Sequence, residues 1–203
     1  EAARALAVRL GNRYAEMFTL EAHGSLLTFC NRYADALPLL ERGLELYVRH
    51  PLFTTVGIDR SYYAPLDRST LKRYAEQLPP GFRAVMKVWN AITQAVDPKT
   101  REPNPRFLSV DCVVERVLGP IDDAFAEHAG PLVFEFPPLR RRELPEPRAF
   151  ADRLGEFFAK LPRQLSYAVE LRNPELLSHG YLEVLAQHGV GHVLNFWQRM
   201  PDI

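Results

Sequence analysis

The stretch YAVELRNP, residues 167–174, is typical of a buried β-strand that carries charge along one face. Successive side chains of a strand point to opposite sides, so Ala168, Glu170 and Arg172 share one face while apolar residues occupy the other. Pro174 ends the strand because proline has no backbone donor. Buried charge is costly unless it is paired or used. The strand therefore predicts a polar site.

Short apolar runs alternate with longer amphipathic ones along the chain. The short runs predict strands at residues 7–10, 55–59, 83–88, 132–136, 167–172 and 192–196. The longer runs predict helices at residues 36–50, 67–78, 110–128, 148–161 and 174–188, with a break in the third at Gly119-Pro120. Strand and helix in alternation favour βαβ units, hence an α/β protein with one parallel sheet in sequence order.

Composition limits the classes of partner. The chain has 203 residues, of which 47% are hydrophobic and 25% charged, with a formal net charge of zero. Nucleic acids and anionic membranes select basic surfaces, so neither is an expected partner. No apolar run approaches the roughly 20 residues that span a bilayer. The two cysteines form no CxxC motif, and a reducing cytoplasm is the expected location.

Polar residues recur where the predicted strands end. By alternation they share the inward face, as Asp59, Lys87, Glu135, Glu170, Arg172 and Asn195. In a parallel (β/α) barrel such residues meet at the carboxyl-terminal mouth, where active sites lie. Two interpretations remain open: a ligand or catalytic site, and a salt-bridge network that only closes the top of the barrel.

Residue chemistry restricts the roles within this set. A lysine beside carboxylates can act as a general acid or hold an anion. Glu135 and Glu170 on neighbouring strands can divide acid and base roles or bind one hard cation. His188 and His192 are separated by two glycines and do not share a helix face, so no zinc site is predicted. The proline-rich loop at residues 137–147 carries three arginines and is either a solvated loop or an anion-binding lid.

Four separated motifs resemble one known family. They are TVGIDRSYY at residues 55–63, PPGFR at 79–83 followed by Val85 and Lys87, GPLVFEFPP at 130–138, and YAVELRNP at 167–174. In this order they resemble the YecE-like family (domain of unknown function 72) over residues 36–203, whereas residues 1–35 match poorly. The resemblance implies a TIM-like barrel in a cytosolic, mostly bacterial family without an established activity.

A complete barrel of this type needs eight βα units and about 250 residues. The chain is therefore expected to be a single domain, residues 1–203, with about six of the eight units and the C-terminal ones missing. Exposed strand edges recruit partners, so self-association through an open barrel edge is expected.

The leading functional hypothesis is an enzyme that acts on a small polar, anionic or carbohydrate-like substrate at the barrel mouth. The catalytic candidates are Lys87, Glu170 and Glu135, and the substrate-binding candidates are Asp59, Arg172, Asn195 and Tyr63. No metal ligand is assigned and the cofactor stays open. The alternatives are a non-catalytic module that binds a small ligand and a degenerate barrel with a structural or partner-binding role, and the fold alone does not choose among them.

Overall fold

The computed structural model describes residues 1–97, 100–195 and 200. The helices in these ranges are α1 (Ala2–Arg9), α2 (Arg13–Phe29), α3 (Tyr33–Val48), α4 (Arg60–Tyr63), α5 (Arg68–Gln77), α6 (Val110–Val113), α7 (Gly119–Phe125), α8 (Pro147–Phe158) and α9 (His179–His188). The strands are β1 (Thr55–Ile58), β2 (Arg83–Lys87), β3 (Ala129–Phe136), β4 (Tyr167–Leu171) and β5 (Gly191–His192).

The described strands form one sheet in the order β1-β2-β3-β4-β5, and every neighbouring pair is parallel. This confirms the predicted α/β class and the parallel sheet in sequence order. The last predicted strand is shorter than expected, and its end at Phe196 lies outside the described residues. Self-association along a sheet edge stays a prediction.

The first predicted strand is wrong. Residues 7–10 lie at the end of α1 and in the turn after it, and Ala7 is buried. Four residues are too few to separate strand from helix, and the alanines that precede them favour helix. Five strands, rather than six, therefore lie in the described part of the chain, and helices α1 to α3 precede the sheet.

The predicted helix break at Gly119-Pro120 is also wrong. A π-helical turn, Val114–Leu118, joins α6 directly to α7. Proline lacks the backbone donor and crowds the preceding helical turn, and a wider turn relieves that crowding. The helical path consequently continues from Val110 to Phe125.

The two faces of the sheet differ in chemistry. Buried residues of one face, including Met86, Leu132, Phe134 and Val169, belong to the main hydrophobic core that the helices cover. The alternate residues of β3 and β4 form the opposite face, where Glu135 and Glu170 are also buried. The period of two thus directs carboxylates away from the helix layer.

Gly130 is expected to be intolerant of a side chain because β2 and β3 approach closely there. A β-carbon at this position would lie 2.8 Å from the carbonyl oxygen of Ala84, which is backbone and cannot rotate away. Gly130→Ala should lower the free energy of unfolding by about 1–3 kcal/mol. Gly155→Ala is the matched control, since its β-carbon would meet Val184 at an ordinary 3.5 Å and helix α8 would gain propensity. Urea unfolding measures both, and equal stability losses would contradict the prediction.

A buried tyrosine of α9 contacts the short strand β5. The hydroxyl of Tyr181, which is fully buried, lies 2.8 Å from Nδ1 of His192. Burial lowers the pKa of His192 below its ordinary 6.5. Burial also raises the pKa of Tyr181, so the phenol stays protonated and can donate to the neutral imidazole.

The stability of the protein is therefore expected to fall as pH drops below about 6.5. The folded pKa of His192 is the lower one, so the unfolded chain binds more protons in that window and protonation favours unfolding. His192→Asn keeps an acceptor but does not titrate, and should flatten this part of the curve. His179→Asn, at an exposed position on α9, is the control. Unfolding curves between pH 7.5 and 5 that coincide in shape for wild type and His192→Asn would contradict the prediction.

Candidate functional site

The carboxyl-terminal ends of β2, β3 and β4 bring the predicted charged residues together. Lys87 is the last residue of β2. Glu135 on β3 and Glu170 on β4 are paired in register, so they lie side by side on neighbouring strands. Arg172 follows β4 immediately. We call these four residues the charge network: Lys87, Glu135, Arg172 and Glu170.

The charges of the network alternate in sign. Lys87 Nζ lies 2.9 Å from Glu135 Oε2, and Arg172 Nη2 lies 3.2 Å from Glu135 Oε1. The same guanidinium contacts Glu170 Oε1 through Nη2 at 2.9 Å and donates a hydrogen bond to it from Nε at 3.0 Å. Each carboxylate therefore has a cation, and Glu135 has two.

The side chains of the two cations are more exposed to solvent than those of the two carboxylates. The side chains of Glu135 and Glu170 are each 9% exposed, whereas those of Lys87 and Arg172 are 30% and 23% exposed. Pairing offsets the desolvation of the buried carboxylates. The cations, in contrast, reach solvent and can meet a ligand.

Lys87 keeps its charge at neutral pH. Burial acts to lower its pKa, but the hydrogen bond to Glu135 and the charges of Glu135, Asp59 and Glu170 together raise it. An ammonium group with a raised pKa is a fixed cation and a hydrogen-bond donor, not a proton acceptor. Of the two roles open to Lys87 in the sequence, holding an anion fits this environment better.

The remaining predicted site residues lie around the network at different distances. Asp59 occupies the position before α4, and its 75% exposed side chain is 3.5 Å from Lys87 Nζ. Asn195 donates from Nδ2 to the carbonyl oxygen of Leu171 at 2.9 Å, at the end of β4. Tyr63 is 74% exposed and its ring packs edge-on against Tyr62. Substrate binding by these three stays a prediction.

Tyr62, not Tyr63, is the tyrosine that lies against the network. Lys87 Nζ is 5.8 Å from the centre of the Tyr62 ring, within cation–π range. Burial raises the pKa of Tyr62, and the charge of Glu135 raises it further, so the phenol stays a donor. The sequence did not separate Tyr62 from Tyr63, because both follow the predicted strand and lie in the short helix α4.

In residues 1–97, 100–195 and 200, no group of three or more His, Cys, Asp or Glu side chains is arranged to hold a metal ion. His188 ends α9 and His192 lies in β5. No helix in the same part of the chain is both long and apolar enough to cross a membrane.

The family model for a protein of unknown function, DUF72, matches residues 29–199. The chain belongs to the DUF72 family. The match starts just before α3, so α1 and most of α2 precede the DUF72 region. Comparison with curated proteins gave no match.

Two crystal structures of a DUF72 family protein from Enterococcus faecalis V583, at 2.52 and 3.10 Å resolution, resemble this DUF72 chain. The first is 18% identical with a TM-score of 0.49, and the second is 17% identical with a TM-score of 0.50. Each match covers 73% of this chain and 57% or 52% of the other. The chain thus spans somewhat more than half the length of these relatives, and the likeness concerns the fold alone.

Proposed function

We propose that the charge network binds and chemically transforms a small polar molecule that carries an anionic or hydroxyl-rich group. One observation carries the proposal: two cations that reach solvent alternate with two buried carboxylates at the carboxyl-terminal ends of three adjacent parallel strands. Ligands of parallel α/β proteins bind at this end of the sheet.

We further propose that the sheet is part of a TIM-like barrel and that the charge network lies at the mouth of this barrel. The parallel order of β1 to β5, with helices packed on one face, supports this arrangement. The opposite face carries small side chains below the charged ones, as Val133 lies below Glu135 and Ala168 below Glu170. Free Cys30 and Cys112 favour a reducing, cytoplasmic location.

Each residue receives a role from its surroundings. Lys87 and Arg172 contact the anionic or hydroxyl-bearing group of the substrate, and Asp59 orients the Lys87 ammonium. Glu135 and Glu170 transfer protons, since carboxylates shielded from water can act as acid and base. Tyr62 donates a hydrogen bond from its protonated phenol.

The second candidate is a module that binds the same class of ligand without transforming it. The pairing of both carboxylates favours it, because Glu135 Oε1 and Oε2 and Glu170 Oε1 already contact the protein's own cations. Binding without turnover of any bound ligand would decide for the module. Detection of a product would decide for the enzyme.

Lys87→Met is expected to weaken the binding of a small anion about tenfold or more, because it removes one of the two cations that reach solvent. It should change stability little, because Glu135 keeps Arg172 as its partner and the ion pair of Glu170 is with Arg172. Inorganic phosphate, acetate and glucose are the probes, followed by ligand-observed NMR.

Arg83→Met is the matched control for this test. Arg83 lies on the same strand and the same face as Lys87 but at its amino-terminal end, where it donates to the carbonyl oxygen of Ala129. Binding should survive in the control. Absence of binding of all three probes to the wild type, or equal losses in both variants, would contradict the proposal.

A further inference from the structure

A cavity of about 210 Å³ lies beneath the loops at the carboxyl-terminal edge of the sheet. Its walls come from the loop after β2, the proline-rich loop after β3, helix α8 and the turn after β4. The sheet residues that line it, Phe136 and Leu171, belong to the main hydrophobic core on the helix-covered face. Glu135 and Glu170 precede them in β3 and β4 and point to the opposite face. The cavity therefore lies on the other side of the sheet from the carboxylates of the charge network.

The cavity has an aromatic lining. The rings of Phe107 and Phe150 each meet Phe136 edge-on, with centroid separations of 6.3 and 5.3 Å. Aromatic rings prefer edge-on or offset contacts with one another. Walls of this kind favour a guest that is itself an apolar ring.

The polar side chains of the walls already have partners within the protein. Asn104 donates from Nδ2 to the carbonyl oxygens of Ala91 and Gln94, both at 2.7 Å, and Thr93 donates its hydroxyl to the Asn90 carbonyl oxygen at 3.3 Å. In the part of the chain that the structure describes, no buried side-chain nitrogen or oxygen lacks a hydrogen-bond partner. A ligand that carries a charge or several hydroxyls would lose hydration here without gaining partners, which costs free energy.

The two arginines of the wall are engaged as well. Arg153 donates to the carbonyl oxygen of Phe107 at 3.2 Å, and its guanidinium carbon lies 4.6 Å from the centre of the same ring. Arg172 pairs with Glu135 and Glu170 of the charge network. The chemistry of the walls thus selects a neutral guest.

The loop over the cavity is fastened at two points. Leu139 N donates to Asn173 Oδ1 at 2.7 Å, and Asn173 Nδ2 donates back to the Leu139 carbonyl oxygen at 3.2 Å. Further along, Glu143 forms an ion pair with Arg101. Because the loop is held on both sides, the cavity is formed before a ligand arrives, which reduces the ordering cost of binding.

We propose that this cavity is a second binding site, which takes one neutral apolar ring and fills independently of the charge network. The volume suits this guest, since an apolar cavity of about 150 Å³ is enough for benzene, and 210 Å³ leaves room for a small substituent. Protein interiors keep few voids larger than a water molecule. An apolar cavity of this size is therefore better explained by a ligand than by packing alone.

Toluene and benzoate are the probes, because they carry the same ring with a methyl group or a carboxylate. Toluene should bind the wild type saturably in ligand-observed NMR and raise the melting temperature. Benzoate should bind at least about tenfold more weakly, because its carboxylate would be buried without a partner. Inorganic phosphate, a probe of the charge network, should leave the toluene affinity unchanged.

Variants of the wall locate the site. Ala95→Leu places a larger side chain in the cavity and should weaken toluene binding about tenfold or more. Ala159→Leu, at the exposed end of α8, is the control for an added leucine and should bind toluene like the wild type. Leu139→Ala enlarges the cavity and should improve the binding of naphthalene relative to toluene. Thermal melts establish that each variant is folded.

Saturable toluene binding that Ala95→Leu weakens, and that phosphate and Ala159→Leu leave unchanged, supports the inference. Absence of saturable toluene binding to the wild type, or benzoate binding as tight as that of toluene, overturns it. Equal toluene affinities of the wild type and a folded Ala95→Leu variant also overturn it, as does displacement of toluene by phosphate. If Ala95→Leu does not fold, Leu139→Ala takes its place, and an unchanged ratio of naphthalene to toluene affinity overturns the inference.

Discussion

Arg172→Met is expected to lower the free energy of unfolding by about 3–5 kcal/mol, the usual loss when one partner of a buried ion pair is removed. Arg172 is the only cation that the described contacts give to Glu170, and it is the second cation of Glu135. Its removal takes away the ion-pair partner of buried Glu170 and leaves Glu135 paired with Lys87. Chemical denaturation with a fixed m-value measures the loss.

The matched comparison is Lys87→Met, which should cost much less because Glu135 keeps Arg172. A triple variant that adds Glu135→Gln and Glu170→Gln to Arg172→Met should recover part of the lost stability, since no buried carboxylate remains unpaired. If Arg172→Met and Lys87→Met lose the same stability, the network does not depend on Arg172 in the way its contacts indicate.

Phe134→Ala is expected to lower the free energy of unfolding by about 3–5 kcal/mol, through lost transfer energy and the cavity left behind. Phe134 is fully buried at the centre of β3. Its ring meets Phe157 and Phe158 of α8 edge-on, each at a centroid separation of 5.4 Å, and also contacts Tyr167 of β4. The substitution thus removes the ring contacts that pack β3 against helix α8.

Phe29→Ala is the control for the same chemical change at the surface. Phe29 ends α2 and is 86% exposed, so its truncation should change stability by no more than about 0.5 kcal/mol. Calorimetry or denaturant titration of both variants gives the comparison. A Phe134→Ala loss of less than about 1 kcal/mol would show that the ring is not packed as described.

The sequence predicted the part of the fold that depends on periodicity. Alternation in β4 placed Glu170 and Arg172 on one face, and the structure joins them through a 2.9 Å ion pair. Glycine marked one element end, since Gly189 ends α9 in the left-handed conformation, whereas Gly119-Pro120 did not break its helix. These signals are local, so one chain segment is enough to carry them.

The parts of the structure that the sequence did not predict depend on contacts between segments that are distant in the chain. Nothing in four residues distinguished strand from helix at residues 7–10, where packing of α1 against α2 decides the outcome. The sequence likewise did not show which residues of the charge network pair with each other. The sequence left Asp59, Glu135 and Glu170 open as partners of Lys87, and the structure places the carboxylate of Glu135 closest, at 2.9 Å. The cavity beside Arg172 arises from loops whose conformations no short motif specifies.

The agreement between strand order and chain order has a consequence for synthesis on the ribosome. Each described strand pairs with the one made immediately before it, so the sheet can grow at its newest edge as the chain emerges at about 5–20 residues per second. Asp59 emerges first, Lys87 then neutralises it, Glu135 adds one negative charge, and Glu170 arrives together with Arg172. The formal charge of the growing cluster is therefore −1 after Glu135 and −1 again once Glu170 and Arg172 are both made, so cations and carboxylates are added in turn.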